Sequence, residues 1–359
     1  MKNLFVNILI ISSAIIINSC NDQTKDNSNR DIIADLRGSW RFFIGDDPVW
    51  SDPAFDDSNW ELIKVPSFWE DQGFNGYDGY AWYRKKFTID ENSIYGGVYL
   101  SLGFIDDVDE VFINGNMIGK TGSFPPFYFT GYNSERKYFV PEQYLNKNGI
   151  NLIAVRVYDD ELGGGINSGL IAIEKTGTDK LPDFMLEGIW KFTAEDDSFY
   201  SKTDLDDSGW ADVYVPSFWE NQGFFKYDGF GWYRKDFILP PDLRYKDLVL
   251  ILGRIDDIDQ TYLNGKLIGT TGDFRSSPPV FNRSDEWQKL RAYKIPESLI
   301  DPEGKNIIAV RVYDGFRDGG IYSGPVGLLQ QSRFTSFWKK LNESQQVQES
   351  KDIFELIFE

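Results

Sequence analysis

The 23 residues VPSFWEDQGFNGYDGYAWYRKKF (65–87) return as VPSFWENQGFFKYDGFGWYRKDF (215–237), with 17 of 23 positions identical. A chain that repeats itself 150 residues later builds one unit twice, and this constrains its fold more than any other feature. At the same offset LRGSW (36–40) returns as LEGIW (186–190), and FDDSNW (55–60) as LDDSGW (205–210). GFIDDVDEVFINGNMIGKTGSF (103–124) likewise returns as GRIDDIDQTYLNGKLIGTTGDF (253–274). AVRVYD (154–159) recurs at 309–314, an offset of 155, so the second copy carries five extra residues between Phe274 and Ala309. Such an insertion belongs in a loop. GGINSG (164–169) and GGIYSG (319–324) close the copies. The modules are residues 34–176 and 184–331, joined around 177–183. In a chain of 359 residues each is long enough to bury its own core.

Within a module the local period is two. Ile153, Val155 and Val157 alternate with Ala154, Arg156 and Tyr158, and Val98, Leu100 and Leu102 follow the same rule. Asn114-Gly115 sits between Val111-Phe112-Ile113 and Met117-Ile118-Gly119, which predicts a hairpin with a type I′ turn; Asn264-Gly265 repeats it. Many short strands without a long helical period predict an all-β chain of two tandem jelly-roll sandwiches. The tail, 332–359, differs. Phe334, Phe337, Trp338 and Leu341 have helical spacing, and Ile353, Phe354, Leu356 and Ile357 continue an apolar stripe. This helix is expected to dock on a module; the alternative is a partner protein.

The chain start reads as a secretory signal over residues 1–20: Lys2, an apolar run from Leu4 to Ile17, then Ile17-Asn18-Ser19-Cys20. It resembles a bacterial lipoprotein signal, in which the cysteine, here Cys20, becomes the lipid-modified first residue. That implies anchoring to a membrane surface of the cell envelope, with 21–33 as a tether. The alternative is a plain signal in which the cysteine is incidental. The net charge of −19 repels phosphate backbones, so no nucleic-acid partner is expected. Histidine is absent, which excludes Ser-His-Asp and Cys-His machinery and histidine-ligated metals. Carboxylate chemistry, oxygen-ligated metals or pure binding remain.

Taken together, VPSFWE, QGF, WYRK, the IDDVDEVFINGNMIGKTGSF segment, AVRVYD and GGI resemble the sugar-binding jelly-roll domain of family 2 glycoside hydrolases, within the galactose-binding-like β-sandwich class. The likeness covers both modules. It implies a glycan partner. In that family the catalytic glutamates lie on a separate (β/α)₈ barrel, and nothing in this sequence supplies alternating strand and helix units. The first expectation is therefore non-catalytic carbohydrate binding. The second is a glycoside hydrolase, or a subunit accessory to a partner enzyme, with acids at 106–109 or 159–160. The third is an envelope protein that docks another protein.

The loop from Trp69 to Trp82 is the candidate sugar site, because Trp69, Glu70, Gln72, Tyr77, Asp78 and Trp82 combine aromatic faces with hydrogen-bonding groups. The resemblance adds Asp159, Asp160 and the Gly164-Gly165-Ile166 turn. The second copy offers Trp219, Glu220, Gln222, Tyr227, Asp228, Trp232, Asp314 and Asp318. A packing role that closes one end of the sandwich competes with this reading. Asp106, Asp107 and Asp109, with Asp256, Asp257 and Asp259, form carboxylate clusters. Adjacent residues on a strand point to opposite faces, so the simpler expectation is that one aspartate pairs Arg84 or Arg156, and in the second copy Arg234 or Arg311. Trp40, Trp60, Trp190 and Trp210 are expected to pack. The pairs Asp56-Asp57 and Asp206-Asp207 suit turns and can also take a structural calcium, although no EF-hand spacing is present. No other cofactor is expected.

Overall fold

The computed structural model describes residues 31–94, 96–175, 181–276, 279 and 285–341. Cys20, the expected signal and the tail beyond 341 lie outside them. The first module runs β1 (Asp31–Asp35), β2 (Gly38–Ile44), β3 (Glu61–Val65), β4 (Gly79–Thr88), β5 (Val98–Asp106), β6 (Val108–Ile113), β7 (Asn116–Thr121), β8 (Glu135–Val140), β9 (Ile150–Asp159) and β10 (Gly165–Lys175). The second repeats the order as β11 (Phe184–Met185), β12 (Gly188–Thr193), β13 (Ala211–Val215), β14 (Gly229–Ile238), β15 (Leu248–Asp256), β16 (Ile258–Leu263), β17 (Lys266–Thr271), β18 (Leu290–Lys294), β19 (Lys305–Asp314) and β20 (Gly320–Gln330). In each module a six-stranded antiparallel sheet (β3-β2-β4-β9-β6-β7, or β13-β12-β14-β19-β16-β17) faces a four-stranded one (β1-β10-β5-β8, or β11-β20-β15-β18). The chain is all-β, two sandwiches in tandem, as the patterning predicts.

Alternation decides the faces. Ile153, Val155 and Val157 of β9 enter the first core with Trp40, Phe42, Tyr83, Leu100 and Leu102. The second core repeats it with Trp190, Phe192, Tyr233, Leu250, Leu252, Val310 and Val312. Asn114 and Gly115 have φ of 49° and 82°, and Asn264 and Gly265 of 47° and 79°, so both hairpins carry the left-handed pair that type I′ turns require. The β7–β8 connection spans 122–134 and the β17–β18 connection 272–289, which places the five-residue insertion in a loop. The tether expected over 21–33 is shortened at its end. Ile32 and Ala34 pair with Glu174 and Ile173, because an apolar DIIAD segment adds an edge strand to β10.

The two sandwiches share a continuous interface. Tyr214 of β13 packs its ring on Tyr138 at 5.2 Å and sits in the first module's core cluster. Its hydroxyl accepts the Phe139 N–H at 3.0 Å. Asn221 O accepts the Gly122 N–H at 2.6 Å, Phe225 packs on Phe129 at 4.8 Å, and Tyr99 donates to Glu187 at 2.8 Å. Residues 334–341 form a helix whose Phe334, Phe337 and Leu341 cover Val249 and Ile251 of β15 and Leu329 of β20. The expected docking of the tail on a module is thus seen for its first part.

Candidate functional site

The repeated aromatic phrase is mostly scaffold. Trp69 and Trp219 have 0% exposure, and Trp82 and Trp232 are equally buried. Trp69 packs on Phe42 and Tyr77, and its Nε1 donates to Tyr77 O. Trp82 lies flat on Phe112, beneath Trp50. No face of these rings is open to a sugar, which corrects the stacking role expected of them. The outer side of β4 is buried because the segment 46–60 folds across it with Trp50, Phe55 and Trp60. Gln72 spends its amide on the β3 backbone, accepting the Lys64 N–H at 2.5 Å and donating to Lys64 O at 3.0 Å. Gln222 does the same to Tyr214. The Tyr77 and Tyr227 hydroxyls donate to Tyr80 O and Phe230 O. Asp78, Asp160, Asp228 and Asp318 stay exposed.

The arginines hold different acids from those expected. Arg84 donates to Asp57 at 2.8 Å and to the Phe55 carbonyl, and Arg234 to Asp207 at 2.7 Å. Arg156 grips Asp46 and Glu110; Arg311 grips Asp196 and Gln260. Among the clustered acids, Asp109 pairs Arg136 at 2.7 Å and accepts Tyr138 OH at 2.6 Å; Asp259 pairs Arg291 at 2.9 Å. Residues 135–140 and 290–294 supply these partners from strands of the opposite sheet, which the one-strand argument could not reach. Asp56 accepts the Ser58 N–H, and with Asp57 bound by a guanidinium this pair has its cation already.

Asp106 and Asp107 do not diverge as neighbours within a strand. β5 ends at Asp106 and β6 starts at Val108, so Asp107 lies where the chain crosses between sheets. Asp159 ends β9, and oxygens of Asp106, Asp107 and Asp159 lie within 4.8 Å of one another. Asp256, Asp257 and Asp314 form the same group in the second module. Asp107 accepts Tyr128 OH at 2.7 Å, Thr130 OH and the Asp160 N–H at 3.1 Å. Asp159 is fully buried, and both of its oxygens lack a hydrogen-bond partner. Beside it, Glu70 accepts the Gly164 N–H through one oxygen and leaves the other without a partner. Gly164 is required here: a Cβ would stand 2.2 Å from Trp69 Cζ2 and 2.9 Å from Asp159 Cβ. Burial, then Asp107, Asp106 and Glu70, push Asp159 up to about 8. Burial and the hydrogen bond with Asp107 raise Asp106 to about 7. In the second module burial chiefly raises Asp256 to about 8, Asp314 to about 7 and Glu220 to about 8.

An aromatic surface that the sequence reading did not single out lies over Asp107. Tyr158 packs on Tyr80 at 4.8 Å and on Tyr128 at 5.6 Å, and Tyr80 stacks on Phe124 at 5.8 Å with planes 7° apart. The Arg156 guanidinium covers Phe124 and Tyr80 at 4.2 and 4.9 Å, and Tyr158 OH meets Asp160 at 3.1 Å. All four rings are half-buried. The period-two outward positions of β4 and β9 were the signal for Tyr80 and Tyr158. The counterparts Phe230, Phe274, Tyr313 and Arg311 keep the platform, with Gly315 in place of Asp160.

Residues 45–162 match the family model described as the beta-galactosidase second all-beta domain. Over that third of the chain the likeness is to an all-β domain of beta-galactosidases. A Formosa agariphila protein named as a beta-glucuronidase is 37% identical over 138 residues, 35% of this chain and 12% of that protein. Beta-galactosidase BoGH2A of Bacteroides ovatus is 29% identical over 147 residues, 36% of this chain and 15% of that protein. The solved structure of a Bacteroides uniformis beta-glucuronidase aligns at 15% identity with a TM-score of 0.35, over 79% of this chain and 28% of that one. The matches thus span less than one sixth of the length of these two curated relatives.

Proposed function

We propose that the protein binds carbohydrate without cleaving it, and that the Tyr80–Phe124–Tyr128–Tyr158 platform with Arg156 and Asp160 is the binding face. The half-buried aromatic surface edged by an exposed carboxylate supports this reading. Sugar rings lay C–H patches on aromatic faces, and their hydroxyls take hydrogen bonds from acids. The relatives are named for enzymes that act on glycosides, which favours a glycan over other ligands.

The acids disfavour hydrolysis. A retaining glycosidase sets its two carboxyls roughly 5–5.5 Å apart across the bond, and an inverting one roughly 6.5–9.5 Å. Here three carboxylates crowd within 4.8 Å, and Asp159 is wholly buried. A carboxyl with no exposed surface offers a substrate bond no access.

The test is calorimetric titration of the purified chain with a panel of neutral oligosaccharides, beside Tyr80→Ala/Tyr158→Ala. Each ring contact is worth on the order of 1 kcal/mol, so the double variant, which loses two, is expected to bind about thirtyfold more weakly. No binding to any glycan, or equal binding by the variant, overturns the assignment.

A further inference from the structure

Buried polar atoms without partners are rare in folded proteins, and each asks for an explanation. Nine buried side-chain atoms in the described residues lack a hydrogen-bond partner, and seven belong to one constellation present twice. They are Glu70 Oε1, Tyr83 OH and both Asp159 oxygens in the first module, and Glu220 Oε1, Tyr233 OH and Asp314 Oδ2 in the second. Asp159 and Asp314 have 0% exposure, and Glu220 has 5%. These groups adjoin the two aspartate triads. An isolated carboxylate inside a protein is costly unless a cation or donors meet it.

The described protein supplies no cation to them. The partners of Asp107 are two hydroxyls, a backbone N–H and the neighbouring Asp106 carboxyl, none of them a cation. Arg136, whose charge reaches Asp106, has its guanidinium taken by Asp109 and by the carbonyls of Gly131, Ser134 and Asp107. Arg291 is held in the same way by Asp259 and by the carbonyls of Glu286, Lys289 and Asp257.

We propose that each module binds one calcium-type cation, held by Asp106, Asp107 and Asp159 in the first and by Asp256, Asp257 and Asp314 in the second. The donors are all oxygen, the preference of hard cations. Calcium–oxygen distances of about 2.3–2.6 Å put opposed ligands about 5 Å apart, and the triads span up to 4.8 Å. The unpartnered Glu70 and Glu220 oxygens lie outside the triads, near enough for their charges to act on Asp159 and Asp314. The cation fixes the crossing from β5 to β6 against the end of β9, beneath the aromatic platform. It does not depend on the glycan reading, and its test involves no sugar.

The test starts from the purified chain stripped with EGTA and titrated with CaCl₂ by calorimetry. Two calcium ions per chain are expected, one in Asp159→Asn and none in Asp159→Asn/Asp314→Asn. Saturating calcium is expected to raise the wild-type Tm by about 5 °C and leave the double variant unmoved. Terbium emission sensitised by the adjoining Tyr83 and Trp69, and quenched by added CaCl₂, tests wild-type protein should the variants fold poorly. No heat of binding and no calcium-reversible terbium emission overturn the assignment, as does a stoichiometry of two retained in the double variant.

Discussion

Trp69 shows how a residue that looks made for a ligand can belong to the core. Its ring is enclosed by Phe42, Tyr77 and the backbone at Gly164, and its indole N–H is committed to a carbonyl. Truncating a buried tryptophan typically costs roughly 3–5 kcal/mol. Trp69→Ala is therefore expected to lower unfolding stability by about that much in urea titration, whatever happens to binding. A loss below about 1 kcal/mol would mean that the ring is not packed as described. Glu187 carries a different expectation. It is buried at the junction, accepting from Tyr99 OH and the Val326 N–H, and burial raises it from its ordinary 4.5 to about 7. The folded state holds this proton more tightly than the unfolded chain. The stability it adds is fully present below about pH 4.5 and lost as the pH rises through about 7. The loss amounts to on the order of 3 kcal/mol. Glu187→Gln should flatten that part of the stability–pH curve relative to wild type, measured by denaturant unfolding at pH 5 and 8; parallel curves would refute it.

The strands were legible because their signals are local. Alternation in β9, the Asn-Gly turns and a repeat that copied every element left little freedom. The site was less legible because its parts come from distant elements. Asp106 and Asp159 lie 53 residues apart in sequence and meet only because β5 and β9 belong to opposite sheets that end together. Reading Asp106 and Asp107 as one strand placed them on opposite faces; the chain changes sheet there instead. Burial of Trp82 was hidden for a related reason. Alternation sends Trp82 and Tyr83 to opposite sides, and only the fold shows that the segment 46–60 covers the outer side as well. Retention of IDD and VYD in both copies was the visible trace of the triads.

At the scale of the molecule the copies are unequal. Module two spends its β13 residue Tyr214 and the loop around Asn221 and Phe225 on module one, where the first copy has the exposed Lys64, Asp71 and Asn75. Gln222 is accordingly 4% exposed, while Gln72 is only half-buried. Because a tyrosine of one module completes the core cluster of the other, the two should unfold as a unit. Near-ultraviolet dichroism and intrinsic fluorescence are expected to give coincident transitions in wild type. In Tyr214→Ala they should separate, with a loss of roughly 3 kcal/mol. Two well-separated transitions in wild type would contradict the shared core.

The join between the modules is head-to-tail: the surface one copy gives differs from the surface the other receives. Contacts of this kind have no natural end and, repeated, build filaments. On module one the receiving side includes Tyr99 of β5, and the position 150 residues later is Val249 of β15. That residue lies under Phe337 of the C-terminal helix. The helix thus stands where a third module would begin, as a capping repeat closes a solenoid. At the other end Lys64 replaces the tyrosine that would reach for a neighbour. Within the described residues, each of the two surfaces that a further copy would use has changed: one lies under a helix and the other has lost its tyrosine.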